Sequence, residues 1–249
     1  MSGPVSAPVR RFPWAALVFA VLGFAVLVAL GTWQVERLAW KEGLIAAIDS
    51  RIHSAPRDLA AIENEFAETA DVDYQPVAVS GTFDHAKERH FLATHDGRSG
   101  FFVYTPLLLP DGRSVFVNRG FVPYDRKEAA TRGEGEVAGK VSVSGLARNP
   151  LVEKPSALVP DNEPAKNVFY WKDRDAMASS AGVDPAKLVP FFIDAGVAPN
   201  PGGLPIGGVT MVELPNNHLQ YALTWFGLAA TLVGVYLVYH VKNARLTFS

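Results

Sequence analysis

Hydrophobic and polar positions follow different rules at the ends of this chain and in its middle. Each end carries an unbroken apolar run, Trp14 to Trp33 over 20 residues and Leu219 to Tyr239 over 21, neither with a charge. At 1.5 Å of rise per residue each run spans roughly 30 Å as a helix, the thickness of a bilayer's hydrocarbon layer. Aromatic residues stand where the interfaces fall: Trp14 and Trp33 bracket the first run, and Tyr221, Trp225, Tyr236 and Tyr239 belong to the second. The pattern predicts transmembrane helices over 14–33 and 218–240. A signal peptide is the rival reading of the first run, because Arg10 and Arg11 precede it and Ala29-Leu30-Gly31 resembles a cleavage site. The run is longer than the roughly 7–15 residues of a signal core, so an uncleaved anchor is expected.

Between the ends the period changes. Trp40, Leu44, Ile45, Ala47 and Ile48 recur at helical spacing, which predicts a helix continuing from the first apolar run to about Ser54–Pro56. Leu59 to Ala67 reads as a second short helix. From Tyr74 the period is two, predicting strands over Tyr74–Phe83, Arg89–Thr94, Phe101–Leu109, Val115–Val122, Lys140–Ala147, Val168–Trp171 and Pro190–Ala195. Asp96-Gly97 and Pro110-Asp111-Gly112 supply turn chemistry between them. Asp173 is placed to cap a helix through Ala181, and the Gly- and Pro-rich stretch Pro199–Gly208 reads as a loop. The expected architecture is two membrane helices flanking an α+β domain, residues 34–217, with a mainly antiparallel, barrel-like sheet.

Charge sharpens this division. Every Asp and Glu lies between Glu36 and Glu213, and that segment holds 19 basic against 25 acidic residues, a net of −6. Such a balance argues against a nucleic-acid partner. Arg10 and Arg11 in the first tail (1–13), and Lys242 and Arg245 in the last (241–249), predict both tails on the cytoplasmic side and the middle domain across the membrane. The chain contains no cysteine, which excludes disulfides, thiolate metal sites and a cysteine nucleophile.

Candidate chemistry is sparse. No G-x-S-x-G, P-loop, H-E-x-x-H or dinucleotide fingerprint occurs, so no enzymatic activity is expected. His85, His90 and His95 are read as surface or turn residues rather than a metal site, since alternate strand positions face opposite ways. Asp125, Glu128, Glu134 and Glu136 are read as a solvated loop. Asn118 and Arg119 end an apolar strand side by side; one of them should face inward and need a partner, either within the domain or in an acidic ligand. His218 shares a helical face with Tyr221, Ala222 and Trp225 at i+3, i+4 and i+7. Two readings stand open there: an imidazole that caps the helix or bonds a carbonyl of the middle domain, or an axial ligand to haem iron. In the second, Trp33, Gln34 and Arg37, closing the first apolar helix, are placed to meet the propionates. His240 lies 22 residues on, roughly 33 Å along the helix, too far to share the same iron.

Four segments carry a family resemblance. Gly31-Thr32-Trp33-Gln34-Val35-Glu36-Arg37-Leu38-Ala39-Trp40-Lys41 is similar to the opening signature of the Surfeit locus protein 1 family. Gly97–Phe101 with Thr105-Pro106-Leu107 resembles its second motif, Val117–Pro123 its third and Asn216–Phe226 its fourth, with Phe121 where Trp is common. The resemblance implies an assembly factor for haem–copper cytochrome c oxidase that binds haem a and assists its insertion into subunit I, receiving it from haem A synthase. It also carries the family's histidine at the start of the second membrane helix onto His218; by their own placement Tyr221, Trp225, Trp33, Gln34 and Arg37 are then expected around the cofactor, and Asn118 and Arg119 as partner or structural residues. No Arg- and Ser-rich presequence is evident, so a bacterial inner membrane is expected. The alternative is a cofactor-free scaffold that binds an assembly intermediate through the middle domain.

Overall fold

The computed structural model describes residues 14–210 and 214–245. The expected tail 1–13 and the last four residues of the tail 241–249 lie outside them. The chain divides into two units, residues 47–212 and the helical segments 14–46 and 214–245.

The helical unit is built from α1 (Trp14–Ile52), which runs on past residue 46, and α4 (His218–Arg245). Both are long and apolar enough to cross a membrane. Small residues let the two helices approach at several points. Ala222 and Ala229 are buried on α4, one heptad apart, and Gly31 is buried on α1. A Cβ at Gly31 would lie 2.6 Å from the Phe226 ring, so glycine lets that ring approach.

The other unit holds β1 (Arg57–Asp58), α2 (Leu59–Thr69), β2 (Pro76–Phe83), β3 (Arg89–His95), β4 (Arg98–Leu108), β5 (Ser114–Pro123), β6 (Lys140–Arg148), α3 (Arg174–Ala181) and β7 (Phe192–Ala195). These strands form one mixed sheet in the order β1-β2-β6-β7-β5-β4-β3, and β2 also pairs with β4 through Thr82–Leu108 and Phe83–Leu107. The pairing circuit β2-β6-β7-β5-β4 therefore returns to its start. Two pairings are parallel, β1 with β2 and β5 with β7; the rest are antiparallel.

Local chemistry accounts for most element ends. Asp58 Oδ1 accepts from Ala61 N at 2.7 Å and Asp173 Oδ1 from Ala176 N at 2.9 Å, capping α2 and α3. His95 pairs with Arg98 across the two-residue turn Asp96-Gly97, whose φ values of +49° and +74° are those the right-handed twist of a hairpin favours. One core cluster contains Ile62, Val77, Leu107, Val117, Phe191 and Ile193; a second packs Tyr104, Phe116, Phe169 and Phe192 against Met177 and Ala178 of α3.

Three sequence expectations need correction. Val168–Trp171 is not a strand. Phe169 makes one bridge to β3, with its N donating to His90 O and its O accepting from Leu92 N, both at 2.8 Å. The Tyr170 and Trp171 amides then turn to Asn162 Oδ1, so no ladder propagates. The strand expected from Tyr74 begins at Pro76, because Tyr74 has φ +65°. The strand expected from Pro190 begins at Phe192.

Candidate functional site

His218 opens α4, with its amide donating to Asn216 Oδ1 at 3.4 Å. Its half-buried imidazole reaches back to α1, where Nδ1 stands 2.7 Å from Oε1 of Gln34, a buried residue. A carbonyl oxygen can only accept, so Nδ1 carries the proton, and in the neutral ring Nε2 keeps its lone pair. This is the arrangement by which a ligating histidine is normally oriented: one ring nitrogen donates to a fixed oxygen and the other is left for the metal. Among the described residues no group of three His, Asp or Glu side chains clusters around a common point to hold an ion. A metal at Nε2 must therefore bring its remaining ligands with it, as haem iron does.

The structure brings together two of the six predicted cofactor residues, His218 and Gln34. Gln34 meets the imidazole itself through its carbonyl. Tyr221 and Trp33 are exposed and Trp225 is half-buried. Arg37 is exposed, its guanidinium stacked 4.2 Å above the Trp40 ring.

Asn118 and Arg119 lie on β5 where the register slips. Phe102 pairs with Phe121 and Tyr104 with Asn118, so Arg119 and Gly120 together oppose the single residue Val103. The bulge defeats simple alternation, and both side chains are buried, at 3% and 2% exposure, where only one was expected inside. Asn118 Nδ2 donates to Asp194 Oδ1 at 3.0 Å, and Asn118 Oδ1 accepts from Gly120 N at 3.1 Å. Thr210 Oγ1 donates to the other Asp194 oxygen at 3.0 Å. Arg119 Nη2 donates to Gly135 O, and Nη1 donates to His85 Nδ1 at 3.2 Å, while His85 Nε2 donates to Val137 O at 3.0 Å.

A polar cluster that the sequence reading missed lies beside Arg119. Glu88 and His90 are both buried, and His90 Nε2 is 3.1 Å from Glu88 Oε1. Arg132, also buried, pairs with the same carboxylate oxygen and donates to Arg126 O at 3.1 Å and Lys127 O at 3.0 Å. Burial works against the Glu88 carboxylate, but hydrogen bonds from His90 and Arg132 outweigh it and hold its pKa below the ordinary value. One expectation changes, in that His90 is a core residue; Asp125, Glu128 and Glu134 are exposed as expected, while Arg132 ties their loop to the domain. The available signal was Arg132 set directly before the Gly133-Glu134-Gly135-Glu136 run.

The profile of the SURF1 family matches residues 21–230. The chain belongs to the SURF1 family. It is 40% identical over 222 residues to Surfeit locus protein 1 of Rattus norvegicus, covering 83% of this chain and 69% of that one. Against Surfeit locus protein 1 of Homo sapiens it is 38% identical over 234 residues, 87% of this chain and 73% of the other. A SURF1-like protein of Monosiga brevicollis is 36% identical over 245 residues, 93% of this chain and 88% of the other. SURF1 is a family of assembly factors. Its matched span includes both His218 and Gln34.

Proposed function

We propose that this SURF1-family chain is a membrane-anchored assembly factor for haem–copper cytochrome c oxidase that holds haem a through His218 Nε2 and presents it to subunit I. The observation that carries this reading is the 2.7 Å bond from His218 Nδ1 to Gln34 Oε1, which leaves Nε2 free. Bound there, haem would supply an iron that such a nitrogen can ligate. Gln34 fixes the ring's tautomer and angle, Trp33, Tyr221 and Trp225 offer aromatic surface, and Arg37 offers a cation for propionates. A single protein ligand suits a carrier, because release to subunit I breaks one bond. Haem A synthase is the donor in this scheme.

In this reading α1 and α4 cross a bacterial inner membrane, with both tails cytoplasmic and residues 34–217 largely periplasmic. The tail charges Arg10, Arg11, Lys242 and Arg245 support that orientation. The test is the absorption spectrum of protein purified from a haem a-producing host, wild type beside His218→Ala. Haem a bound to wild type and lost from the variant is expected. An unchanged spectrum in His218→Ala refutes the ligand assignment, and wild type free of haem favours a cofactor-free scaffold acting through the sheet domain.

A further inference from the structure

Arg119 is a buried cation without a carboxylate. Its guanidinium bonds only neutral groups, the Gly135 carbonyl and the His85 ring, with the Phe83 face 5.0 Å from Cζ. Its Nε is buried with no hydrogen-bond partner. Among the described residues no acid stands within ion-pair distance of it; Glu88 and Glu136 act only through space. Burial pushes its pKa down to about 10, far below the ordinary arginine value. A buried charge without an ion-pair partner is costly, so an anion reaching it would be favoured.

The same side chain lines a cavity of about 170 Å³ whose walls include Phe83, Val141, Val143, Pro199 and Asn200. Exposed residues at its edge, Ser142, Ala198 and Pro199, bring it to the surface. A cavity of about 150 Å³ with apolar walls holds a benzene-sized group. Mainly apolar walls, with Ser142, Ser144 and Asn200 among them and one guanidinium that lacks a carboxylate, suit a carboxylate on a small apolar stem better than a phosphate or a polyanion.

We infer that the cavity between β6 and the 196–201 loop is a binding site for a carboxylate carried on a ring or branched aliphatic stem, with Arg119 as the charge partner. Two sources share that chemistry, a free small acid and the carboxyl terminus of a peptide ending in an apolar residue. The site is independent of His218 and of haem.

The experiment uses the full chain in detergent micelles and isothermal titration. One arm compares 3-phenylpropanoate with 3-phenylpropanamide; the other compares a hexapeptide ending in Phe with its C-terminally amidated form. At least tenfold weaker binding of the amide in either arm is expected, and the tighter arm names the source. Arg119→Met should abolish binding of the acid. Should that variant fail to fold, Ala198→Trp, which fills the mouth and leaves Arg119 in place, should abolish it instead. Equal binding of acid and amide, binding of neither, or full affinity in a folded Ala198→Trp overturns the assignment.

Discussion

Gln34→Leu tests the reasoning about His218 most directly, because it keeps the bulk at a buried α1 position and removes only the acceptor. In the wild type the 2.7 Å bond holds one tautomer and one ring angle. A net intramolecular hydrogen bond contributes about 0.5–1.5 kcal/mol, and removing the outer partner of a metal-ligating histidine costs about 10–100-fold in affinity. At 1.4 kcal/mol per factor of ten, the expected loss is about 1.4–2.8 kcal/mol of haem a binding. A Soret titration in micelles measures it, with His218→Ala as the floor and Gln34→Glu, which restores an acceptor, as the rescue. A second readout needs no haem. Nitrogen-15 shifts of the imidazole should report protonated Nδ1 in the wild type and a tautomer mixture in Gln34→Leu. Affinity within twofold of wild type, together with an unchanged tautomer, would refute the role given to Gln34.

Other outcomes follow from single contacts. Gly120 has φ +126° and its added Cβ would lie 1.9 Å from Ile206 O. Gly120→Ala therefore combines backbone strain with loss of the Phe121–Ile206 bridge, an expected loss of about 2–5 kcal/mol in denaturant unfolding; a change under 1 kcal/mol would contradict it. Glu88→Gln leaves Arg132 buried without its carboxylate, a loss of about 3–5 kcal/mol. Because the folded pKa of Glu88 is depressed, its contribution is present above the ordinary glutamate value of 4.5 and is lost as pH falls toward the folded value. The acid limb of a stability–pH curve should therefore flatten in Glu88→Gln, and an identical limb argues against the ion pair. Gly31→Ala crowds the Phe226 ring; it should lower the resistance of the helix pair to SDS unfolding, and Phe226→Ala in the same chain should restore part of it. Strictly additive losses would rule out that contact.

What was legible in the sequence was mostly local. The apolar runs, the Asp96-Gly97 turn and the Asp173 cap are each decided by a few neighbouring residues, and each stands in the structure where the pattern put it. Pairings between distant segments were not legible. The parallel match of Val117 with Ile193 joins strands whose own periods say nothing about direction. The bulge at Arg119–Gly120 depends on Ile206 packing against Gly120 from across the chain. Val168–Trp171 carries the residues of a strand, yet Asn162 takes the amides a ladder would have used. At the candidate haem site, His218 was visible because it heads an apolar run. Gln34 was named for the site, but its bond to the imidazole was not legible, since spacing along α1 cannot show which of its faces meets α4.

The bond between Gln34 and His218 joins residues 184 positions apart. During synthesis, Gln34 leaves the ribosome long before the imidazole it orients, with the whole sheet domain translated in between. The nascent chain thus has no oriented histidine until its last apolar helix has been made and inserted. In the reading proposed above, loading of a pigment would in this way be tied to completion of the polypeptide: a product stalled before α4 lacks the imidazole proposed to capture it.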